Sequence, residues 1–287
     1  MLIIAPPTGA SGAPPRQGNS HQKFTTVFDA GFLKTTLLAA FSLIAFAALS
    51  TNTNAGSAGG SDIGGLQFNI LSPDGKQTIG STHFTVLRNN STEEIKGETR
   101  YLDGERDNED ERLDLEDTRS TLKLDTYEHS FFNADGTLDM VDTLNAKSGV
   151  ASCAKYSLGK MTMRKSQLDV PADSFAGASG LMMMVAKLRH GNREISFHVF
   201  ACAPGPEIFS VNASLPDRSE HWLLYPGDLF RLDMRPDLGA LNLLIAPFLP
   251  TMDAWFNPND NWNYVGGEFD RYFRGPHVLT VRVPPAD

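Results

Sequence analysis

Hydrophobic and polar positions alternate along most of the chain after residue 65. Leu66-Gln67-Phe68-Asn69-Ile70 has period two, the pattern of a half-buried strand. Pro73-Asp74-Gly75 supplies a turn, and Thr82–Leu87 reads as the returning strand. Glu94–Tyr101 is a third candidate. Strand signals resume at Leu122–Tyr127 and run through Phe132. The turn Asn133-Ala134-Asp135-Gly136 and Leu138–Leu144 then complete a hairpin. Ala151–Leu158, Lys160–Leu168, Glu194–Ala201, Ile208–Leu215, Leu229–Met234, Leu241–Ala246, Trp262–Val265 and His277–Val283 are further short strands. The period shifts once. Phe175, Ala178, Leu181, Met182, Val185, Ala186 and Leu188 fall at helical spacing within Ser174–His190, and Gly191 is the stop. Many short strands with one helix predict a mainly β fold: a curved antiparallel sheet, half-barrel or barrel, with the helix packed on it. No repeat of 20 to 50 residues is present.

Two segments break the alternation. Asp103–Asp117 holds nine carboxylates and two arginines, and such a run is expected to be a solvated connection. A calcium loop is the sharper alternative, but its ordered ligand spacing with an internal glycine is missing. The other break lies near the N-terminus. Thr35 to Ser61 carries no charge and includes Leu37–Leu49, 13 residues interrupted only by Ser42. A spanning helix needs about 20 apolar residues and a secretory core about 7 to 15, so the length favours a signal peptide over an uncleaved anchor. Cleavage is expected after small residues near Ala48–Ser50 or Thr53–Ala55. The expected organisation is a disordered leader or misassigned start at 1–33, a signal peptide at 34–55, a Gly/Ser-rich spacer at 56–65 and one β-rich domain at 66–287.

The full chain of 287 residues has 34 acidic and 25 basic residues, a net charge of −9. Cleavage near Ala55 removes Arg16, Lys23, Lys34 and Asp29, leaving 33 acidic against 22 basic residues. An acidic domain without a basic stripe is not expected to bind nucleic acid. Export to the periplasm or the cell exterior would permit oxidation of the two cysteines, Cys153 and Cys202, which lie 49 positions apart in strand-like sequence. Either they form a disulfide worth on the order of 3–4 kcal/mol, or they are buried thiols acting as small apolar side chains.

Catalytic signatures are sparse. H-E-x-x-H, a Walker loop, a dinucleotide glycine fingerprint and C-x-x-C are all absent from the sequence. Gly177-Ala178-Ser179-Gly180 approaches a nucleophile elbow, but Leu181 stands where the second glycine is required, so Ser179 reads as a helix-start residue. The seven histidines show no metal-ligand spacing; His198 is expected to be a satisfied residue of the sheet wall rather than a base or ligand. Neither metal nor cofactor is expected.

Two apolar groupings suggest binding instead. Met182, Met183 and Met184 would line an adaptable pocket or fill the core. Trp255, Trp262 and Tyr272 stand near Arg271 and Arg274 in a segment dense in aromatics. There they would form a groove whose arginines hold an anionic head group, or a barrel rim whose arginines stack or pair with Glu268 and Asp270.

The chain resembles a group of uncharacterised exported bacterial proteins. The resemblance rests on Tyr101-Leu102-Asp103-Gly104, Phe132-Asn133-Ala134-Asp135-Gly136-Thr137-Leu138, Ala151-Ser152-Cys153, Leu168 through Gly177 and the block from Trp255 to Pro276. More loosely, the layout is similar to the half-barrel of outer-membrane lipoprotein carriers, which implies lipid or lipoprotein binding at the level of fold alone. The resulting expectation is an exported, non-enzymatic protein that takes a lipid or other apolar molecule, with no membrane span after cleavage. The alternatives are a cell-envelope hydrolase, which would need a Ser or His with an acidic partner in the cavity, and a structural envelope protein with a filled barrel.

Overall fold

A computed structural model describes residues 61–89, 91–116, 121–202, 205–237, 252–270 and 277–283. The expected leader, the signal peptide, residues 56–60 of the spacer and the Leu241–Ala246 strand lie outside the described residues.

The first eight strands form a meander: β1 (Ser61–Leu71), β2 (Thr78–Asn89), β3 (Thr92–Tyr101), β4 (Arg106–Glu116), β5 (Thr121–Phe132), β6 (Leu138–Asn145), β7 (Val150–Ser157) and β8 (Lys160–Gln167). A tight turn joins β5 to β6 at Asn133–Thr137, where Asp135 Oδ1 accepts hydrogen bonds from the Thr137 amide and hydroxyl at 2.9 and 2.6 Å. The two-residue β9 (Ser174–Phe175) leads into the helix α1 (Gly177–Arg189). Thereafter come β10 (Glu194–Cys202), β11 (Pro206–Ser214), β12 (Glu220–His221), β13 (Asp228–Pro236), β14 (Met252–Asn257), β15 (Asn263–Asp270) and β16 (His277–Arg282).

One sheet contains all these strands, in the order β8-β7-β6-β5-β4-β3-β2-β1-β16-β15-β14-β13-β11-β10-β9, with β12 paired beside β13. The pairings are antiparallel except the short parallel β9–β10 contact. The sheet does not close by hydrogen bonding. It curls until β10 and β11 come back against β6, β7 and β8, and there Cys153 of β7 is disulfide-bonded to Cys202 of β10. Covalent sulfur therefore fastens a seam that backbone pairing leaves open.

The inward residues of this curve and one stripe of α1 form the main core. Phe68, Phe84, Ile95, Leu144, Leu181, Met184, Phe197 and Phe256 are buried in it. Alternation explains the selection: β2 buries every second residue from Gly80 to Val86, and β10 does so from Ile195 to Val199, beyond which Phe200 and Ala201 are both buried. A second, smaller cluster contains Trp222, Leu229, Trp255 and Val265. Its two indoles are stacked, with centroids 4.5 Å apart and planes 6° from parallel. A methyl group on Gly266 would run into the Trp222 ring, so the glycine admits the stack.

The acidic run corrects the expectation of a solvated connection. Its residues form β4, hydrogen-bonded to β3 on one side and β5 on the other. Only one parity of its side chains faces solvent; Asp107, Glu109, Glu111 and Leu113 face inward and are buried.

Candidate functional site

The inward carboxylates of β4 meet the end of α1. The helix has no acidic residue in its own first turn, and β4 supplies two. Ala178 N–H donates to Glu109 Oε1 at 2.9 Å, and Ser179 N–H donates to Glu111 Oε1 at 3.0 Å. Two otherwise unpaired amides and the positive end of the helix dipole are thereby satisfied by side chains nearly 70 positions away in the chain. Gly177 permits the approach: its φ is +45°, and a Cβ there would collide with the Glu109 carboxylate. Ser179 Oγ donates to the Ala176 carbonyl at 2.7 Å, the bond of a helix-start residue.

Next to this pair β5 presents Tyr127 and His129, two positions apart and hence on one face. His129 is paired across the sheet with Glu109 on one side and Asp142 of β6 on the other. Its Nε2 lies 3.1 Å from Asp107 Oδ1, and its Nδ1 lies 3.1 Å from the Tyr127 hydroxyl. The carboxylate sets the tautomer: Nε2–H donates to Asp107, so in the neutral ring Nδ1 accepts from the phenol. His129 is 1% exposed and Asp107 3%.

Burial dominates the acid–base behaviour of this patch. It pushes the Glu109 carboxyl well above its ordinary range, helped by the Glu111 charge beside it. Burial also pushes Glu111 up to about 7 despite its hydrogen bonds to Glu109 and Ser179. A charge-assisted hydrogen bond contributes about 1.5–3 kcal/mol, less than the several kcal/mol needed to desolvate an ion, so burial wins. Tyr127 is raised far by burial and then by the charges of Glu109, Asp142, Glu111 and Asp107. For His129 burial alone acts downward, but the bond to Asp107 and the surrounding carboxylates outweigh it and raise its pKa. Asp142 is pushed up to about 7 by burial, with His129 opposing. Its Oδ1 has no hydrogen-bond partner, and neither has Glu111 Oε2.

The patch reaches solvent through a pocket of about 240 Å³ whose lining includes Tyr101, Arg106, Asp107, Phe131, Phe132, Met140 and Lys155. Asp107 is thus shared between the pocket and the hydrogen-bonded chain Asp107–His129–Tyr127. The Arg106 guanidinium lies over the Phe132 ring, 4.6 Å from its centroid. A second hollow of about 300 Å³ is lined in part by Asp114, Lys123, Lys147, Pro171 and Ser174. Ser174 Oγ is buried without a partner. His198 Nδ1 lies 2.8 Å from Asp173 Oδ1 on the sheet wall, and Ser174 is its cross-strand partner.

The residues singled out by sequence are distributed differently. Met183 and Met184 are buried in the main core, and Met182 packs half-buried against it. Trp255 belongs to the separate Trp222 cluster. Trp262 rests against Phe230 with ring centroids 5.4 Å apart. Tyr272, Arg271 and Arg274 lie outside the described residues. Sequence reasoning passed over Asp107, Glu109, Glu111, Tyr127, His129 and Asp142. The available signal was parity: in Arg106–Glu116 the inward series Asp107, Glu109, Glu111 continues into Leu113 and Leu115, and an apolar continuation marks a buried face.

No protein-family model matches the chain, and no curated protein matches it. Among solved structures it is similar to a β-barrel-like protein of a domain of unknown function, DUF1849, from Brucella abortus. The TM-score is 0.43 with 8% sequence identity, over 76% of this chain and 94% of the other.

Proposed function

We propose that this is an exported, non-enzymatic binding protein that takes a small amphiphile at the mouth of its curved sheet. The observation that carries this reading is the pocket in which Phe131, Phe132 and Met140 adjoin Arg106 and Lys155. Half-buried apolar side chains offer a surface for a hydrocarbon or ring, and Arg106 and Lys155, standing among Glu105, Asp107 and Asp139, offer the cationic partners for an anionic head. The volume is below the roughly 300 Å³ at which drug-sized sites begin, so the fit is to one short chain or a fatty-acid end rather than a whole phospholipid. The occupant belongs at this mouth rather than under α1, because Leu181 and Met184 fill the space beneath the helix. The disulfide supports export, since such bonds persist in oxidising compartments.

A hydrolase is the second reading, favoured by the His129–Asp107 pair at 3.1 Å. Binding is the better account because His129 is buried and neither it nor Tyr127 lines the pocket, so neither touches a molecule held there. A general base must lie within hydrogen-bond reach of the proton it abstracts. Tyr127 is also held in its neutral, poorly nucleophilic form.

The test is calorimetric titration of the purified mature protein with decanoate, beside native mass spectrometry for a co-purifying amphiphile. Met140→Asp and Lys155→Glu are each expected to weaken decanoate binding about tenfold or more, the loss of roughly 1.4 kcal/mol of contact. Absence of binding by the wild type, or an affinity in either variant equal to that of the wild type, overturns the assignment. Mature protein whose N-terminus precedes Leu33 would overturn the export signal independently.

A further inference from the structure

The Asp142 carboxylate and the sulfur atoms of Cys153 and Cys202 lie within 4.8 Å of one another. Strand pairing fixes this arrangement: Asp142 of β6 is the direct cross-strand partner of Cys153 on β7, and Cys202 arrives at the end of β10. Both cysteines are half-buried, so the bond is accessible at its edge. Asp142 Oδ1, in contrast, is shut off from solvent and accepts no hydrogen bond in the oxidised protein. A buried acceptor without a partner is unfavourable by about 1–3 kcal/mol, and the group beside it with a use for a proton is a sulfur. The charged groups facing this cluster are His129 of β5, opposite Asp142, and Arg164 of β8, the cross-strand partner of Cys153.

We infer that Cys153–Cys202 is a thiol–disulfide exchange site, with Asp142 as the proton donor to the departing sulfur. The reductant is an external dithiol. Its thiolate attacks Cys202 Sγ, the Cys153–Cys202 bond breaks, and the electron pair passes to Cys153 Sγ. Cys153 takes the Asp142 proton and becomes a thiol. The second thiolate of the reductant then attacks its own sulfur in the mixed disulfide, and Cys202 leaves and is protonated from solvent. The two protons given up by the dithiol restore the balance, one of them returning to Asp142. The dithiol ends as a disulfide and the protein gains two thiols. Leaving-group protonation accelerates exchange because an acidified sulfur departs more readily. Burial keeps the Asp142 proton in place up to about pH 7, so the donor is loaded under ordinary conditions.

The experiment is reduction of the folded, full-length exported protein by excess dithiothreitol, followed by alkylation and mass measurement from pH 5.5 to 8.5. Rates are divided by the thiolate fraction of the reductant. The normalised rate of the wild type is expected to fall as pH rises through about 7. Asp142→Asn is expected to be about a hundredfold slower at pH 6, the low end of what a positioned general acid contributes, and independent of pH. Asp142→Glu should recover part of the rate. A rate in Asp142→Asn equal to or above that of the wild type overturns the inference. So does a wild-type bond that is reduced only in denaturant, which marks a structural staple. Neither result depends on whether decanoate binds.

Discussion

Glu111 shows what a single buried carboxylate does to the pH dependence of the whole protein. Its carboxyl ionises near 4.5 in the open chain and near 7 in the folded protein, because burial disfavours the charge. Between those values the folded state holds a proton that the unfolded state has released. Stability from this source is therefore complete below about pH 4.5 and lost as pH rises through about 7, on the order of 3 kcal/mol for the full shift. His129, also raised, acts in the same direction: its contribution is present below its ordinary pKa and lost above the folded one. Urea unfolding should thus show a midpoint that falls from pH 5 to pH 8. Glu111→Gln, which keeps the Ser179 amide bonded but cannot ionise, should flatten that fall. A midpoint that climbs toward pH 8 in the wild type would contradict the arrangement. None of this was legible from residue types, since a carboxylate in a charged run is ordinarily solvated. The fate of Glu111 was decided by the parity of its strand and by a helix start 68 positions away.

At the scale of elements, patterning was informative wherever one face is apolar and the other wet. β1, β2, β3 and β10 follow their alternation, and α1 lies within the helical spacing of Ser174–His190, its first residues diverted into β9. β4 escaped because its buried face is itself ionisable, and β14 because Met252–Asn257 sits next to Pro and Asn punctuation. The methionine triplet resolves by helix geometry. Met184 is fully buried in the core, while Met182 is turned toward the helix flank. Met184→Ala should lower stability by about 2–5 kcal/mol, the range for emptying a filled core position, and Met182→Ala by well under half of that. Chemical denaturation of the two variants provides the comparison; equal losses would mean that Met182 shares the buried stripe.

For the whole molecule, the seam between β7 and β10 sets the balance between an open sheet and a fastened one. Cys153→Ser with Cys202→Ser removes the only covalent link across it and should cost about 3–4 kcal/mol, the entropy regained by an unfolded loop of this length. Differential scanning calorimetry of the double variant measures it, and an unchanged transition temperature would show that face-to-face packing alone holds the seam. That two cysteines 49 apart could meet was an open alternative in the sequence. What brings them together is sheet curvature, a property of the whole set of strands that no local pattern encodes.

The sheet order also dictates a timetable. β1 is flanked by β2 and by β16, so the earliest described strand shares its second edge with the latest, residues 277–282. As the polypeptide emerges N-terminus first, the β1–β8 meander can assemble from neighbours, yet from the end of β8 at Gln167 one margin of it stays unpaired until β16 begins at His277. An unsatisfied strand margin recruits other chains. The emerging protein is thus most prone to clumping until β16 appears, and the β15–β16 hairpin, rather than the first, releases it from that hazard.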